Sequence, residues 1–412
     1  MSPQGACGAK KSLTKFASRY PRLTATSFEA SASETLNPPR PEENAIESDV
    51  IVVGGGPAGI ATALAASARG MRSIVVDAKT PPIDKPCGEG LLPHGVAALR
   101  ALGVTLNSEI AVPFRGIRFV DRDSSPSADF SSGLGFAMRR INLHQLLLDR
   151  AIEAGVTFLW GTRISKIEPD AITAGGNRIR HRWLVGADGQ NSGVRKWAAL
   201  RSRQVTRKRF CFRRHYHIRP WAGLVEVYWA SGCQMVVTPT GRQEVGVAVF
   251  SRDPRLRVEQ ALARFPELAE KLQGAIPTTK ELGEGTSLTR LPSVTRGNMA
   301  LVGDASGTVD AITGHGLSLS FLQALRLAQA MQNGSLAEYE SAHRKVTAVP
   351  AAMTHVMLVM EKSDWVRRRA LRLLQNKPAL FSRLLSIHTG ELPLSSLEAS
   401  EIVDFGWKFL RA

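Results

Sequence analysis

The stretch from Asp49 to Asp77, DVIVVGGGPAGIATALAASARGMRSIVVD, constrains the fold most, because it contains every part of a dinucleotide-binding βαβ unit in the required order. Apolar β-branched residues predict a strand at 49–53, an alanine-rich run predicts a helix at 60–69, and a second apolar run predicts a strand at 73–76. We therefore expect an α/β protein with a Rossmann-type dinucleotide domain.

The loop between the first strand and the helix carries G-x-G-x-x-G at Gly54, Gly56 and Gly59. Gly54 permits the tight turn, Gly56 lets backbone approach a pyrophosphate, and Gly59 lets the helix lie close to the sheet. The helix N-terminus beyond this loop favours phosphate through its free N–H groups. Asp77 ends the second strand at about the spacing of a carboxylate that binds an adenosine ribose. An adenine dinucleotide is thus the predicted ligand.

Two further glycine motifs follow apolar strands, at 186–195 (GADGQNSGVR) and at 303–307 (GDASG). Each places an aspartate, Asp188 or Asp304, on a flexible turn at the carboxyl end of a strand, where ligands of open α/β sheets bind. Carboxylates there suit ribose or ribityl hydroxyls. Gly314-His315-Gly316 then begins a helix whose N–H groups would face a flavin pyrimidine.

Together the three motifs resemble the flavin-dependent monooxygenases of the para-hydroxybenzoate hydroxylase type and their relatives, the geranylgeranyl reductases and flavin halogenases, over about 48–333. The resemblance implies an α/β fold with α+β elements: a Rossmann-type FAD-binding domain, an inserted antiparallel β-sheet substrate domain and C-terminal helices. It also implies that Arg140, which precedes a helix, contacts FAD. The implied cofactor-binding residues are Gly54, Gly56, Pro57, Ala58, Gly59, Asp77, Arg140, Asp188, Gly303, Asp304, Gly314 and Gly316.

The activity within this superfamily has two interpretations. The loop KPCGEGL at 85–91 looks like the cysteine-bearing loop of geranylgeranyl-reductase-like flavoproteins, and Ser306 stands where the monooxygenases commonly have His. The halogenase motif W-x-W-x-I-P is absent. Because monooxygenases are frequent in the family, we predict first an FAD-dependent monooxygenase that uses NADPH or NADH and O₂ on a small organic substrate. The alternative is a reductase of a double bond.

Candidate catalytic residues are His315, Glu89 and Cys87, all near the expected flavin. His315 would handle protons beside the helix start. For Cys87, a structural role in a glycine turn is favoured over a redox role. His215 and His217 have a metal-compatible spacing, but no Cys or carboxylate is near them in the sequence, so no metal site is predicted.

Much of the formal charge of +17 lies in two blocks. Residues 195–219 contain ten Lys or Arg and no acid, and residues 362–383 contain seven with one acid, Asp364. Aromatic residues in the first block leave a non-enzymatic nucleic-acid-binding or sensor flavoprotein as a remote alternative, but no nucleic acid is expected. Apolar residues recur in the second block near helical spacing, which predicts an interfacial helix facing an anionic membrane surface or an acidic carrier of a lipid-like substrate. A solvated face is the alternative.

The predicted organisation is a disordered tail at 1–47, an FAD-binding domain at 48–200 and 291–333, a substrate domain at 201–290 and a helical cap at 334–412. The tail, basic and free of acids up to residue 28, is either an organelle-targeting segment or an extension from a misplaced start. Four scattered cysteines indicate a reducing compartment, and no long apolar run is present. We expect a cytoplasmic protein, not transmembrane, that is peripheral to a membrane if the second block binds one.

Overall fold

The computed structural model describes residues 46–396. The predicted tail at 1–47, with its targeting interpretation, falls almost wholly outside the described residues, as does the predicted cap from residue 397 onward. The first strand begins at Ile46, slightly before the expected start at Ser48.

In the described range, helices and strands alternate first, a run of strands follows, and helices end the chain. This order agrees with the predicted FAD-binding domain, substrate domain and helical cap. The α-helices are Pro57–Ser67, Pro93–Ala101, Arg140–Glu153, Gly193–Trp197, Val258–Leu262, Pro266–Lys271, Gly316–Gln332, Leu336–Lys362, Asp364–Asn376 and Pro378–His388. The strands are Ile46–Val53, Ser73–Asp77, Gly90–Leu91, Val112–Phe114, Gly116–Val120, Ser127–Asp129, Gly135–Ala137, Thr157–Trp160, Ile164–Ile167, Ala171–Ala174, Asn177–Gly186, Arg203–Gln204, Arg209–His217, Val225–Ala230, Cys233–Gly241, Glu244–Ser251, Ile276–Pro277, Leu282–Thr286, Thr289–Arg290, Thr295–Arg296 and Met299–Leu301. Short 3₁₀ helices are Gly303–Ser306, Ala311–Thr313 and Leu394–Ser396.

The first sheet is built around Ile46–Val53, which pairs in parallel with Asn177–Gly186 on one side and with Ser73–Asp77 on the other. Thr157–Trp160 and Met299–Leu301 extend it in parallel at the two sides. Val50, Ile51 and Val52 in the middle of the central strand are fully buried, as expected when helices cover both faces of a parallel sheet. The three glycine motifs meet because each follows a strand of this sheet. The predicted Rossmann-type α/β fold is confirmed.

The second sheet is antiparallel through four neighbouring strands, Arg209–His217, Glu244–Ser251, Cys233–Gly241 and Val225–Ala230. It continues through Gly116–Val120, which pairs in parallel with Val225–Ala230, to Ser127–Asp129. Residues 116–129, which the sequence assigned to the first part of the FAD-binding domain, therefore belong to this sheet. Strand patterning predicts an extended segment but does not identify its partner.

The sequence from Pro254 to Leu272 predicts one continuous helix, and this prediction is wrong. Two short helices, Val258–Leu262 and Pro266–Lys271, occupy this region. Pro266 causes the break, because a residue before proline avoids helical geometry, and Phe265 has φ −131° and ψ 71°.

The C-terminal helices pack against the second sheet. Phe381 of helix Pro378–His388 stacks on Phe119 with ring centroids 5.2 Å apart, and Trp229 meets Phe119 edge-on at 6.0 Å. Leu371 and Leu374 of helix Asp364–Asn376 join the same buried cluster. Between residues 46 and 396, none of the helices combines the length and the apolar character that a membrane crossing requires.

Candidate functional site

A cavity of about 700 Å³ lies where the carboxyl ends of the parallel strands face the second sheet. Its volume is within the range of about 300–1,000 Å³ that is usual for small-molecule sites. The predicted cofactor residues that line it are Gly54, Gly56, Pro57, Ala58, Asp77, Arg140, Asp188, Asp304, Gly314 and Gly316. Gly59 and Gly303 do not line it. They allow close packing instead, since a Cβ at Gly59 would lie 1.8 Å from the Gly54 carbonyl oxygen and one at Gly303 would lie 2.7 Å from the Ala58 Cβ.

The first glycine loop has the geometry of a phosphate cradle. Gly54 has φ +110°, and a Cβ there would lie 2.4 Å from the carbonyl oxygen of Ala187, in the second motif. Gly56 faces open space, where an added Cβ would meet only the Nη2 atom of Arg140, at 4.0 Å. The loop therefore leaves room beside Gly56, at the N-terminus of helix Pro57–Ser67 and next to a guanidinium, for a pyrophosphate.

Asp77 is fixed at the end of its strand by two backbone donors. Its Oδ2 accepts a hydrogen bond of 2.7 Å from Gly55 N–H, and its Oδ1 accepts one of 2.8 Å from Lys79 N–H. His144, which the sequence did not single out, lies with Nε2 2.8 Å from the Gly55 carbonyl oxygen. It follows Arg140 by one helical turn, so the same helix supports both the loop and the arginine.

Asp188 presents one free carboxylate oxygen. Its Oδ2 accepts hydrogen bonds from Gly193 N–H at 2.6 Å and Val194 N–H at 3.2 Å. Its Oδ1 is buried and has no hydrogen-bond partner within residues 46–396. A buried acceptor of this kind is costly unless a ligand satisfies it. A hydroxyl or N–H group of a bound cofactor would do so, and the residues present therefore fit FAD.

Arg195 ties the second motif to the third. Its Nη2 donates to the Gln190 carbonyl at 2.7 Å and its Nη1 donates to the Ala305 carbonyl at 3.1 Å. In the third motif, Asp304 forms an ion pair of 3.1 Å with Nζ of Lys85, from the KPCGEGL loop. Burial lowers the pKa of Lys85, but the carboxylates of Asp304 and Glu284 together raise it by more, so the pKa is raised overall. The KPCGEGL loop is thus held against the GD motif.

Glu89, one of the candidate catalytic residues, is buried and holds three elements together. Its Oε1 accepts from Arg140 N–H at 2.9 Å and contacts the Arg213 guanidinium, and its Oε2 lies 2.6 Å from His215 Nε2. His215 thus has a carboxylate partner that its sequence neighbours do not show, because Glu89 reaches it from a distant part of the chain. Residues 46–396 contain no cluster of His, Cys, Asp and Glu side chains that could hold a metal ion.

His315 lies behind the cavity wall. It does not line the cavity, and its Nδ1 and Nε2 lie 3.0 Å and 2.7 Å from the carbonyl oxygens of Thr313 and His388. Burial lowers the pKa of His315 to about 4 and outweighs these carbonyls. His388, which the sequence did not single out, does line the cavity, and burial also lowers its pKa. Of these two histidines, His388 is therefore the one placed to contact a ligand.

Cys87 and Cys211 both line the cavity, and burial raises the pKa of each thiol. A thiol that stays protonated is a poor nucleophile. A structural role for Cys87 therefore stays the prediction.

The cavity wall opposite the first sheet is largely apolar, in contrast to the polar wall of the first sheet. Its apolar residues are Leu92, Phe114, Ile117, Phe119, Val225, Val227, Val236, Phe250 and Met357. We call this part of the cavity the apolar chamber. It adjoins the KPCGEGL loop and would accept an apolar substrate.

The two basic blocks are not wholly surface features. In the first, Arg209 is fully buried and donates to Asp310 at 2.8 Å, and Arg213 is paired with Glu89 and Asp84. In the second, Arg367 is buried and forms ion pairs of 2.9 Å with Asp121 and Asp364. These three arginines neutralise internal carboxylates, so the expectation that they contribute to a partner-binding or solvated face was wrong.

The fold and the site define an FAD-dependent oxidoreductase. The chain belongs to the family described as FAD binding domain, whose model matches residues 47–354. It is similar to menaquinone reductase from Mycobacterium tuberculosis (strain ATCC 25618 / H37Rv), with 26% identity over 70% of this chain and 78% of that protein. It is also similar to para-nitrophenol 4-monooxygenase from Pseudomonas sp. (strain WBC-3), with 26% identity over 72% of this chain and 83% of that protein.

Solved structures share the fold. A flavoprotein/dehydrogenase from Cytophaga hutchinsonii has a TM-score of 0.72 at 17% identity, covering 83% of this chain and 93% of that one. A geranylgeranyl bacteriochlorophyll reductase-like protein from Thermoplasma acidophilum has a TM-score of 0.67 at 18% identity, covering 88% of this chain and 96% of that one. The relatives thus include both monooxygenases and reductases, the two activities that the sequence predicted.

Proposed function

We propose that this oxidoreductase is a reductase that uses NADPH or NADH to reduce a double bond in an apolar, lipid-like substrate. The observation that carries the proposal is the apolar chamber, which adjoins the three cofactor motifs and the KPCGEGL loop. An isoprenoid or similar chain would bury apolar surface there at about 25 cal/mol per Å².

Two groups of relatives support this choice. Menaquinone reductases from two mycobacterial species match this chain over 70–72% of its length. Digeranylgeranylglycerophospholipid reductase from Thermoplasma volcanium matches over 68% at 28% identity. By their names, both act on molecules with long apolar parts, which is the chemistry that the chamber suits.

The residues of the chain would bind and orient the reactants. Gly56 and Arg140 would hold the pyrophosphate of FAD, and Asp188 would accept a hydrogen bond through its free Oδ1. Asp304 would accept hydrogen bonds from the ribityl hydroxyls while it keeps its ion pair with Lys85. FAD held by these residues would supply the hydride-transfer chemistry between the nicotinamide and the substrate. The chamber would exclude water from the reacting double bond.

Monooxygenase activity is the second candidate. The match to para-nitrophenol 4-monooxygenase, which covers as much of this chain as the menaquinone reductases do, favours it specifically. The same cavity would then take a small aromatic substrate.

Product analysis separates the two candidates. The purified holoenzyme is incubated with NADPH and menaquinone without oxygen, and in parallel with NADPH and para-nitrophenol under ¹⁸O₂. After reoxidation of any quinol in air, we expect a menaquinone that retains two added hydrogen atoms in its isoprenoid chain, detected by mass spectrometry. Incorporation of ¹⁸O into para-nitrophenol, with unchanged menaquinone, would instead establish the monooxygenase.

A variant of the apolar chamber tests whether the chamber holds the isoprenoid chain. Val225→Trp narrows the chamber, and we expect it to raise KM for a menaquinone with a long isoprenoid chain more than for a menaquinone with a single isoprenoid unit, which keeps one reducible chain double bond. Equal effects on both quinones would show that the chamber does not hold the chain.

The C-terminal helices support a peripheral contact with an anionic membrane. Val356, Val359 and Trp365 are each 53% exposed, and Lys362, Arg368 and Arg372 beside them are exposed cations. Met357, on the same helix as Val356 and Val359, lines the apolar chamber. A membrane at this face would therefore lie close to the chamber and supply a lipid-like substrate directly.

A further inference from the structure

Two arginines face each other on a small two-stranded ribbon beside the cavity. Strand Arg203–Gln204 pairs antiparallel with Thr289–Arg290, and Arg203 lies directly opposite Arg290. Both side chains are exposed. Side chains directly opposite each other across two strands share one face, and like charges in that arrangement destabilise the pair. An anionic ligand between the guanidinium groups would remove this repulsion.

The ribbon is attached to the cavity wall. Thr289 and Thr308 exchange two backbone hydrogen bonds, of 2.9 Å and 3.1 Å, and Thr308 lines the cavity. Lys208 lies against Gly285, another lining residue, where an added Cβ would be 2.2 Å from the lysine Cε. Arg290 and Lys208 are thus adjacent to the backbone that forms the wall.

The ribbon and the segment leading to it carry six exposed cations: Lys196, Arg201, Arg203, Arg207, Lys208 and Arg290. Within residues 46–396, none of the six forms an ion pair with a carboxylate, whereas Arg209 and Arg213 of the same block are both paired. The basic block at 195–219 therefore has two parts. One part neutralises carboxylates inside the protein, and the other carries positive charge that is not paired with a carboxylate. We call these six cations the outer basic cluster.

Trp197, next to Lys196 of the outer basic cluster, is an exposed aromatic residue at the cavity. Trp197 is 47% exposed and also lines the cavity. It ends the short helix that Arg195 anchors to the third motif. An exposed indole offers a flat surface on which a nicotinamide or adenine ring can stack.

We propose that Arg203 and Arg290 bind the 2′-phosphate of NADPH, with Trp197 as a stacking surface, and that the enzyme prefers NADPH over NADH. The inference rests on the proposed use of a nicotinamide dinucleotide as reductant, but not on the identity of the organic substrate. A phosphate monoester carries between one and two negative charges at neutral pH. Two arginine forks can each donate two parallel hydrogen bonds to it. NADH lacks the 2′-phosphate, so Arg203 and Arg290 would not strengthen its binding.

Binding of 2′,5′-ADP to the holoenzyme tests the site without turnover. Isothermal titration calorimetry compares 2′,5′-ADP with 5′-AMP, which lacks the 2′-phosphate, in the wild type and in Arg203→Gln/Arg290→Gln. We expect the wild type to bind 2′,5′-ADP more tightly, and the double variant to lose about tenfold or more of that preference. Arg100→Gln/Arg242→Gln removes the same charge from exposed positions elsewhere and should retain the preference.

Anaerobic flavin reduction gives a second readout. The ratio of the half-saturating concentrations of NADH and NADPH should exceed one in the wild type, and it should fall about tenfold in Arg203→Gln/Arg290→Gln. Neither measurement contains the organic substrate, so a wrong substrate class would leave both results unchanged.

Three outcomes would overturn the inference: equal binding of the two nucleotides by the wild type, equal losses in the test and control double variants, or an unchanged ratio in the test variant. Salt-dependent binding of random oligonucleotides by the outer basic cluster, without any preference for 2′,5′-ADP, would also overturn it and favour nucleic acid.

Discussion

Glu89 carries a side chain although its φ of +60° lies in the left-handed region that favours glycine. This conformation costs a non-glycine residue on the order of 1–3 kcal/mol. The contacts of its carboxylate with Arg140 N–H, Arg213 and His215 explain why the position is occupied by glutamate nonetheless. Glu89 therefore positions the KPCGEGL loop and the FAD-facing arginine at the same time.

Glu89→Gln should destabilise the protein by about 3 kcal/mol, because it leaves the buried Arg213 with only the partly exposed Asp84 as a carboxylate partner. Urea unfolding measures the loss. Adding Arg213→Met to the same chain should recover part of it, since the double variant has no uncompensated buried charge. Glu284→Gln, at an exposed glutamate, is the matched control, and an equal effect of Glu89→Gln and this control would contradict the prediction.

Gly56→Val should abolish FAD binding without preventing folding. The added Cβ meets no protein atom closer than 4.0 Å, so the valine would occupy the space left for the pyrophosphate. Flavin absorbance per protein after purification measures the loss, and thermal unfolding of the FAD-free forms shows whether the fold is intact. A full complement of flavin in the variant would rule out this cradle.

The sequence predicted best those residues whose role depends on the backbone conformation of their own short segment. Gly54 and Gly56 were predictable because a tight turn before a helix has a short sequence signature. The partners of Glu89 were not, since Arg213 and His215 lie 124 and 126 residues further along the chain and only the second sheet brings them back. Arg209 was predicted as part of an exposed block for the same reason.

Among the elements, helix Asp364–Asn376 combines an internal and an external set of cations. Arg367 points inward to Asp121 and Asp364, whereas Arg368 and Arg372 are exposed. With Lys362 and the exposed Val356 and Val359 of the preceding helix, the outer set forms the face proposed to contact a membrane. The spacing of charges in the sequence could not separate the two sets, because it does not show which side of the helix the sheet covers.

Replacing Lys362, Arg368 and Arg372 with glutamate should release the protein from anionic vesicles. Each cation near such a surface contributes about 1 kcal/mol, so removing three should weaken binding at least roughly hundredfold at low salt. Cosedimentation with phosphatidylserine vesicles measures it. Arg100, Arg242 and Arg255, also exposed, provide a control triple variant with the same change of charge. If the wild type does not sediment with vesicles, or if both triple variants are released equally, the membrane contact is refuted.

At the scale of the whole molecule, buried histidines should make stability depend on pH. Burial lowers the pKa of His94 to about 3 and of His315 and His343 to about 4, and it also lowers the pKa of His388. The same rings titrate near about 6.5 in an unfolded chain. Below about pH 6.5 the histidines of the unfolded state bind protons and those of the folded state do not. The free energy of unfolding is therefore highest above about pH 6.5 and falls as the pH drops toward about 4.

The expected loss is about 1.4 kcal/mol per pH unit for each of these histidines. Urea unfolding between about pH 7 and about pH 5 measures the slope. His94→Gln should lower the dependence of the unfolding free energy on pH by about 1.4 kcal/mol per pH unit. Substitution of the exposed His217 should leave this dependence unchanged. Identical slopes in His94→Gln and the wild type would show that His94 does not contribute.

The parallel pairing of Gly116–Val120 with Val225–Ala230 determines how this protein can be recombined with its relatives. A chimera that exchanged only residues 201–290 would place strand Gly116–Val120 of one parent beside strand Val225–Ala230 of the other. The side chains of Phe119 and Trp229, which meet edge-on at 6.0 Å, would then come from different parents. The transferable unit is therefore discontinuous, and it includes residues 112–130 together with the later strands. Crossovers placed on either side of both segments should give folded hybrids with a new substrate chamber.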